Sequence, residues 1–192
     1  MAGEIQLNST SFASESGGTI TVNNGTLSSS VVFPAGHIIQ TKILDWQETT
    51  GNIFTSNSSY SNIGISGSFQ TLKSSSESFL FFELHSGMTA VDGTNASQLD
   101  FCLTSSDNTT HSDGNSLSDV TYRNYYEPNN AEYEPTTFKA FFKAGTRTTS
   151  NLSSYSENQT LYLRIFTKTS ATSFVTVHIG SNYYLLMQEI AL

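Results

Sequence analysis

Four histidines, one cysteine and a scatter of carboxylates are the reactive side chains of this 192-residue sequence. His37, His85, His111 and His178 lie far apart, with no His-x-His or His-Glu-x-x-His spacing, so any zinc site would have to be assembled from distant strands. Cys102 stands alone, which excludes an internal disulfide framework and a cluster of cysteines around a metal. It reads as a small apolar residue in the run Leu99-Asp100-Phe101-Cys102-Leu103. Asp107, Asp113, Asn115 and Asp119 offer oxygen ligands for calcium within one loop, but Asp113-Gly114-Asn115 departs from the EF-hand spacing. Glu127, Glu132 and Glu134 are close enough in sequence to suggest the paired carboxylates of a glycosidase. A solvated acidic loop explains them better. Gly64-Ile65-Ser66-Gly67 lacks the glycine pattern of a nucleophile elbow, and no Ser-x-x-Lys occurs. The expectation is a non-enzymatic protein with no catalytic residue, cofactor or metal.

Recognition needs no activated group. Flat aromatics stack on sugars or fill partner pockets, and Tyr122, Tyr125, Tyr126 and Tyr133 cluster around one loop, with Trp46 elsewhere. These tyrosines are the candidate contacts for a receptor or glycan. The eight Lys and Arg are scattered singly in a chain of net charge −8, which argues against nucleic acid as a partner. No apolar run approaches eighteen residues, so membrane insertion through a helix is not expected. Met-Ala-Gly-Glu-Ile-Gln has neither the basic start nor the apolar core of a secretory signal, and synthesis and folding in a cytoplasm are expected. Seven Asn-x-Ser/Thr triplets are then a by-product of a sequence in which roughly three residues in ten are Ser or Thr.

The elements that would position these residues are strands. Charged residues are only 12% of the chain, while thirteen Phe and nine Tyr supply bulky side chains suited to sheets. Alternation is clearest in Phe138-Lys139-Ala140-Phe141-Phe142-Lys143 and in Leu161-Tyr162-Leu163-Arg164-Ile165-Phe166-Thr167-Lys168, where apolar residues share one face and cations the other. Strands are predicted near 37–46, 60–69, 79–84, 98–103, 120–126, 137–144, 161–168, 174–179 and 183–190, with shorter pieces at 4–7 and 19–22. The 183–190 run could also follow Asn182 into a short helix, though pairing as a strand is preferred. Two polar loops, 105–118 and 127–135, are the long connections.

In the 79–84 strand Leu80, Phe82 and Leu84 fill one face while Phe79 and Phe81 crowd the other, so both faces should be covered, either by a loop or by a neighbouring subunit. The first thirty residues carry too little apolar surface to fold alone, and Ile20 and Val22 would have to bury against another chain or the main domain. Ile20, Val22, Phe79 and Phe81 are therefore the candidate subunit contacts. The expected architecture is an all-β antiparallel sandwich or jelly roll over residues 34–192, behind an extended attachment or shaft segment over 1–33.

From about Val31 onward the chain resembles the C-terminal β-domains of bacteriophage tail-fibre-like proteins of the marine phage type. The resemblance rests on Phe33-Pro34-Ala35-Gly36-His37-Ile38-Ile39-Gln40 leading into an apolar strand, and on Ser58-Ser59-Tyr60-Ser61-Asn62-Ile63-Gly64-Ile65. It continues through the Ser-rich turn Lys73-Ser74-Ser75-Ser76-Glu77-Ser78-Phe79-Leu80-Phe81 to the ending Glu189-Ile190-Ala191. It implies a homotrimeric sandwich on a virion surface, made in the host cytoplasm, with the N-terminal segment joining other virion proteins. Host attachment through a surface glycan or protein is the implied role. A capsid decoration, head fibre or tail adaptor is the structural alternative, and a glycan depolymerase a further one.

Overall fold

The structure, a computed structural model, describes residues 4–7, 10–16, 19–22, 32–47, 58–88, 97–122, 134–169 and 183–192. The chain forms two compact units, Met1–Val32 and Phe33–Leu192.

The first unit is an antiparallel meander of β1 (Glu4–Leu7), β2 (Thr10–Ser16) and β3 (Thr19–Val22), paired in that order. β1 and β3 match the expected extended pieces. β2 was not expected, because Thr10-Ser11-Phe12-Ala13-Ser14-Glu15-Ser16 has almost no apolar alternation to signal a strand. Its pairing with both neighbours satisfies its backbone groups without such a signal.

Among the described residues the second unit holds eight long strands: β4 (Ile38–Gln47), β5 (Ser61–Gln70), β6 (Ser78–Met88), β7 (Ser97–Thr104), β8 (Ser116–Tyr122), β9 (Glu134–Phe142), β10 (Thr160–Thr169) and β11 (Tyr183–Ala191). A 3-10 turn, Asp113–Asn115, precedes β8. They form two antiparallel four-stranded sheets in the orders β4-β11-β6-β9 and β5-β10-β7-β8. Only the β7-to-β8 connection stays within one sheet; every other step crosses between them. That order is the double Greek key of a jelly roll.

Period-two patterning explains why the sheets pack. Leu80, Phe82 and Leu84 of β6, Phe138, Ala140 and Phe142 of β9, and Leu185 and Met187 of β11 face Ile63, Ile65 and Phe69 of β5, Leu99, Phe101 and Leu103 of β7, and Leu161, Leu163 and Ile165 of β10. The Phe69 and Phe82 rings meet at 5.9 Å between centroids. Burying each such side chain contributes roughly 1.5–3 kcal/mol. The 183–190 run is a strand, as preferred: β11 lies between β4 and β6 and is hydrogen-bonded to both.

Two edges differ from expectation. β8 begins at Ser116, four residues before the predicted start, because Leu117 is buried in the core and its carbonyl accepts a 2.9 Å bond from Arg147 Nε. The polar 105–118 loop is correspondingly shorter. β9 begins at Glu134 and runs through Pro135, which an edge strand tolerates because one side of its backbone has no partner to serve. It stops at Phe142, since Lys143 is already in a turn closed on Arg147. The predicted 174–179 strand lies outside the described residues.

Candidate functional site

The outer face of the β4-β11-β6-β9 sheet follows directly from the register. Because opposed residues on adjacent strands share a face, the pairs order this surface into rows. One row runs Trp46, Tyr184, His85, Thr137; the next Ile43, Leu186, Glu83, Lys139; the next Thr41, Gln188, Phe81, Phe141; and the last Ile38, Ile190, Phe79. A soluble face of alternating strands would carry polar side chains here. Instead Trp46 is 61% exposed and Ile43 57%, with Ile38, Phe141 and Tyr184 also exposed.

Several polar groups on this face are matched to one another. Tyr184 Oη donates to Glu83 Oε1 at 3.0 Å, and Glu83 pairs with Lys139 at 3.7 Å. The hydrogen bond to Glu83 raises the Tyr184 phenol above its ordinary range. Lys139 also lies over the Phe81 ring at 5.9 Å, Arg147 over Phe141 at 5.7 Å, and His85 stacks on Tyr184 at 5.2 Å. The result is a surface of exposed apolar side chains on which Glu83 and Lys139 are paired with each other.

Phe79 and Phe81 sit where the sequence placed them, half-buried on the side of β6 opposite the core. Ile20 and Val22 occupy β3 at the positions opposite Glu15 and Ala13. Tyr122 ends β8 opposite Ser97. Tyr125, Tyr126 and Tyr133 lie outside the described residues. Trp46, a recognition candidate apart from the tyrosine loop, belongs to the apolar face. Ile43, Ile38, Leu186 and Phe141 were not singled out at all. The signal that could have found them is apolar residues on both faces of strands whose neighbours have a filled core.

The outer face of the other sheet holds a polar cluster. On β7, Leu99, Phe101 and Leu103 point into the core, so Asp100 and Cys102 point out together. They are nevertheless buried, Asp100 to 1% exposure, because the loop after β7 folds back over them. From that loop His111 places Nε2 2.8 Å from Asp100 Oδ2, and Ser116 Oγ donates to Asp100 Oδ1 at 2.7 Å. The Cys102 thiol donates to Asp100 Oδ2 at 3.6 Å. Burial and then the Asp100 carboxylate push this thiol far up, against a smaller opposing effect of a hydrogen bond from the Ser112 backbone. Tyr60 stacks on the His111 ring at 3.9 Å, Phe166 meets its edge, and Lys168 lies over Tyr60.

The oxygen-rich loop residues do not converge as a calcium site would require. Asp107 pairs with Arg164, Asn115 accepts from Asn151 Nδ2 at 2.8 Å, and the Asp113 side chain is fully exposed. Asp119 stands opposite Asp100 in register. Of the possible glycosidase acids, Glu134 begins β9, while Glu127 and Glu132 lie outside the described residues.

Neither a family model nor a curated protein matches the chain. Among solved structures it is similar to the VP2 subviral particle of infectious bursal disease virus, with 11% identity and a TM-score of 0.33, over 89% of this chain and 42% of that one. It is also similar to the structure of the Gx strain of infectious bursal disease virus, with 13% identity and a TM-score of 0.27, over 88% of this chain and 38% of that one. The chain spans about two fifths of the length of both.

Proposed function

We propose that this protein is a non-enzymatic structural component of a virion, a tail-fibre- or spike-like surface protein engaged in host attachment, whose jelly-roll unit packs against copies of itself as a homotrimer. The observation that carries the reading is the outer face of the β4-β11-β6-β9 sheet. Exposed apolar patches of this kind on a small domain mark interaction surfaces. The occupant best suited to it is a second copy of the chain. Glu83 and Lys139 on the face are paired with each other, so a covering copy leaves that pair matched. The family resemblance supplies the trimeric number and the virion setting, and jelly rolls recur among capsid and lectin domains. In this reading the N-terminal meander joins other virion proteins, and the segment with Tyr122, Tyr125, Tyr126 and Tyr133 faces the host.

Solution mass is the direct test. The wild-type chain should run as a trimer by light scattering, and I43K combined with W46S should release monomers that keep the same far-ultraviolet spectrum. A monomeric wild type would overturn the assembly reading. Imaging the particle with labelled protein places it on a fibre, a head or nowhere. Binding of the labelled protein to host cells at micromolar concentration separates a receptor-facing fibre from a decoration or adaptor, which would not bind.

A further inference from the structure

We propose that Asp100, Cys102 and His111 form a binding site for one zinc-class transition-metal dication, which clamps the loop after β7 to that strand. The carboxylate, thiol and imidazole donor atoms of these three residues lie within 4.8 Å of one another. Zinc-type bonds of about 2.0–2.3 Å arranged tetrahedrally set donors roughly 3.3–3.7 Å apart. The Sγ-to-Oδ2 distance of 3.6 Å already fits, and the Oδ2-to-Nε2 distance of 2.8 Å needs to open by only about half an ångström.

The sides turned away from the common point are as informative as the donors. Ser116 Oγ holds Asp100 Oδ1, leaving Oδ2 for the ion. His111 turns Nε2 to Asp100 Oδ2 at 2.8 Å and Nδ1 to the side of Asp113, so metal binding replaces the Nε2–H···Oδ2 bond and moves that proton to Nδ1. The Ser112 backbone N–H donates to the Cys102 sulfur. Two of the three donors thus have an outer partner of the sort that orients metal ligands, supplied by Ser112 in the loop and by Ser116 at the start of β8. A hydrogen-bonded Asp–His pair alone would not require a sulfur at the same point.

Charge identifies the class of ion. Carboxylate and thiolate together carry two negative charges, which a dication neutralises in a buried setting; binding transfers the thiol proton to solvent as the sulfur–metal bond forms. Sulfur and imidazole select a zinc-like ion over calcium or magnesium, which take oxygen. Three protein donors leave at least one position for water.

The test uses the full chain stripped with a chelator and titrated with Co²⁺. One equivalent should produce the near-ultraviolet thiolate-to-cobalt absorption, and Zn²⁺ should displace it while Ca²⁺ and Mg²⁺ at a hundredfold excess do not. Zn²⁺ should also raise the melting temperature. Both responses should vanish in Cys102→Ala, a small change at a buried position, and weaken roughly tenfold in Ser116→Ala, which removes only the partner of Asp100. Absence of the thiolate band in the folded wild type overturns the proposal. So does a band or melting shift that survives Cys102→Ala, which would mean binding elsewhere on the chain. Should His111→Gln be needed and fail to fold, Cys102→Ala and Ser116→Ala still decide the outcome.

Discussion

Glu189 shows how much one side chain can organise. It is fully buried on β11, and its carboxylate accepts from Leu72 N–H, Lys73 N–H, Ser78 Oγ and Gln40 Nε2, at 2.6–2.9 Å. It therefore fastens the turn before β6 and the edge strand β4 to the strand between them. Leaving buried donors without an acceptor costs about 1–3 kcal/mol each, so Glu189→Ala should lose at least about 3 kcal/mol, read from urea midpoints, and Glu189→Gln less. Tyr183 carries a different kind of consequence. Burial, then the charge of Asp45 and the bond to it, push its phenol up to about 12, against about 10 in an unfolded chain. Below about pH 10 both states keep the proton and the contribution to stability is complete. Between about 10 and about 12 the unfolded state releases it first, so stability falls as pH rises through that window. Urea midpoints from pH 9 to 11.5 should decline in the wild type and decline less in Tyr183→Phe. Burial also pushes the Tyr155 phenol up, with the Glu189 charge adding to it, so its absorbance change should appear at higher pH than that of a free phenol.

Among the elements, β5 is the strand whose glycines matter, each for its own reason. Gly64 has φ +82° at a register irregularity against β10, a backbone state that side chains resist. Gly67 lies where β5 crosses β4: a Cβ there would come 2.7 Å from Leu44 Cβ and 2.8 Å from its carbonyl oxygen. Lys42 Nζ bonds Ser68 O at 2.9 Å and Gln40 Nε2 bonds Gln70 O at 2.9 Å across the same junction, so the backbone has no room to retreat. Gly67→Ala should therefore destabilise by about 1–3 kcal/mol, seen as a lower melting temperature with an unchanged strand signal. Elements with clean alternation, such as 161–168 and 138–142, were legible in the sequence because one face had to be apolar. β2 and the start of β8 were not, because Ser and Thr pair well in sheets without marking a face. The Asp100–Cys102–His111 cluster was hidden for a related reason. Asp100 and Cys102 reveal a shared face only once Leu99, Phe101 and Leu103 are known to point inward, and His111 joins them through a loop whose path no spacing rule describes. On β6, by contrast, Phe79 and Phe81 announced a second apolar face before any register was known.

At the scale of the whole molecule, strand order decides when that face comes into being. β4 lies at the edge of its sheet, and within that sheet it is hydrogen-bonded to β11 alone. Gln40 meets Glu189 across a separation of 149 residues. At about 5–20 residues synthesised per second, β4 leaves the ribosome roughly 7–30 s before the strand it needs. Throughout that interval Ile43 and Trp46 have no sheet to belong to, and the row they begin cannot form. The apolar face is consequently a late product of synthesis: no partner of any kind can meet it as a surface until β11 has inserted between β4 and β6.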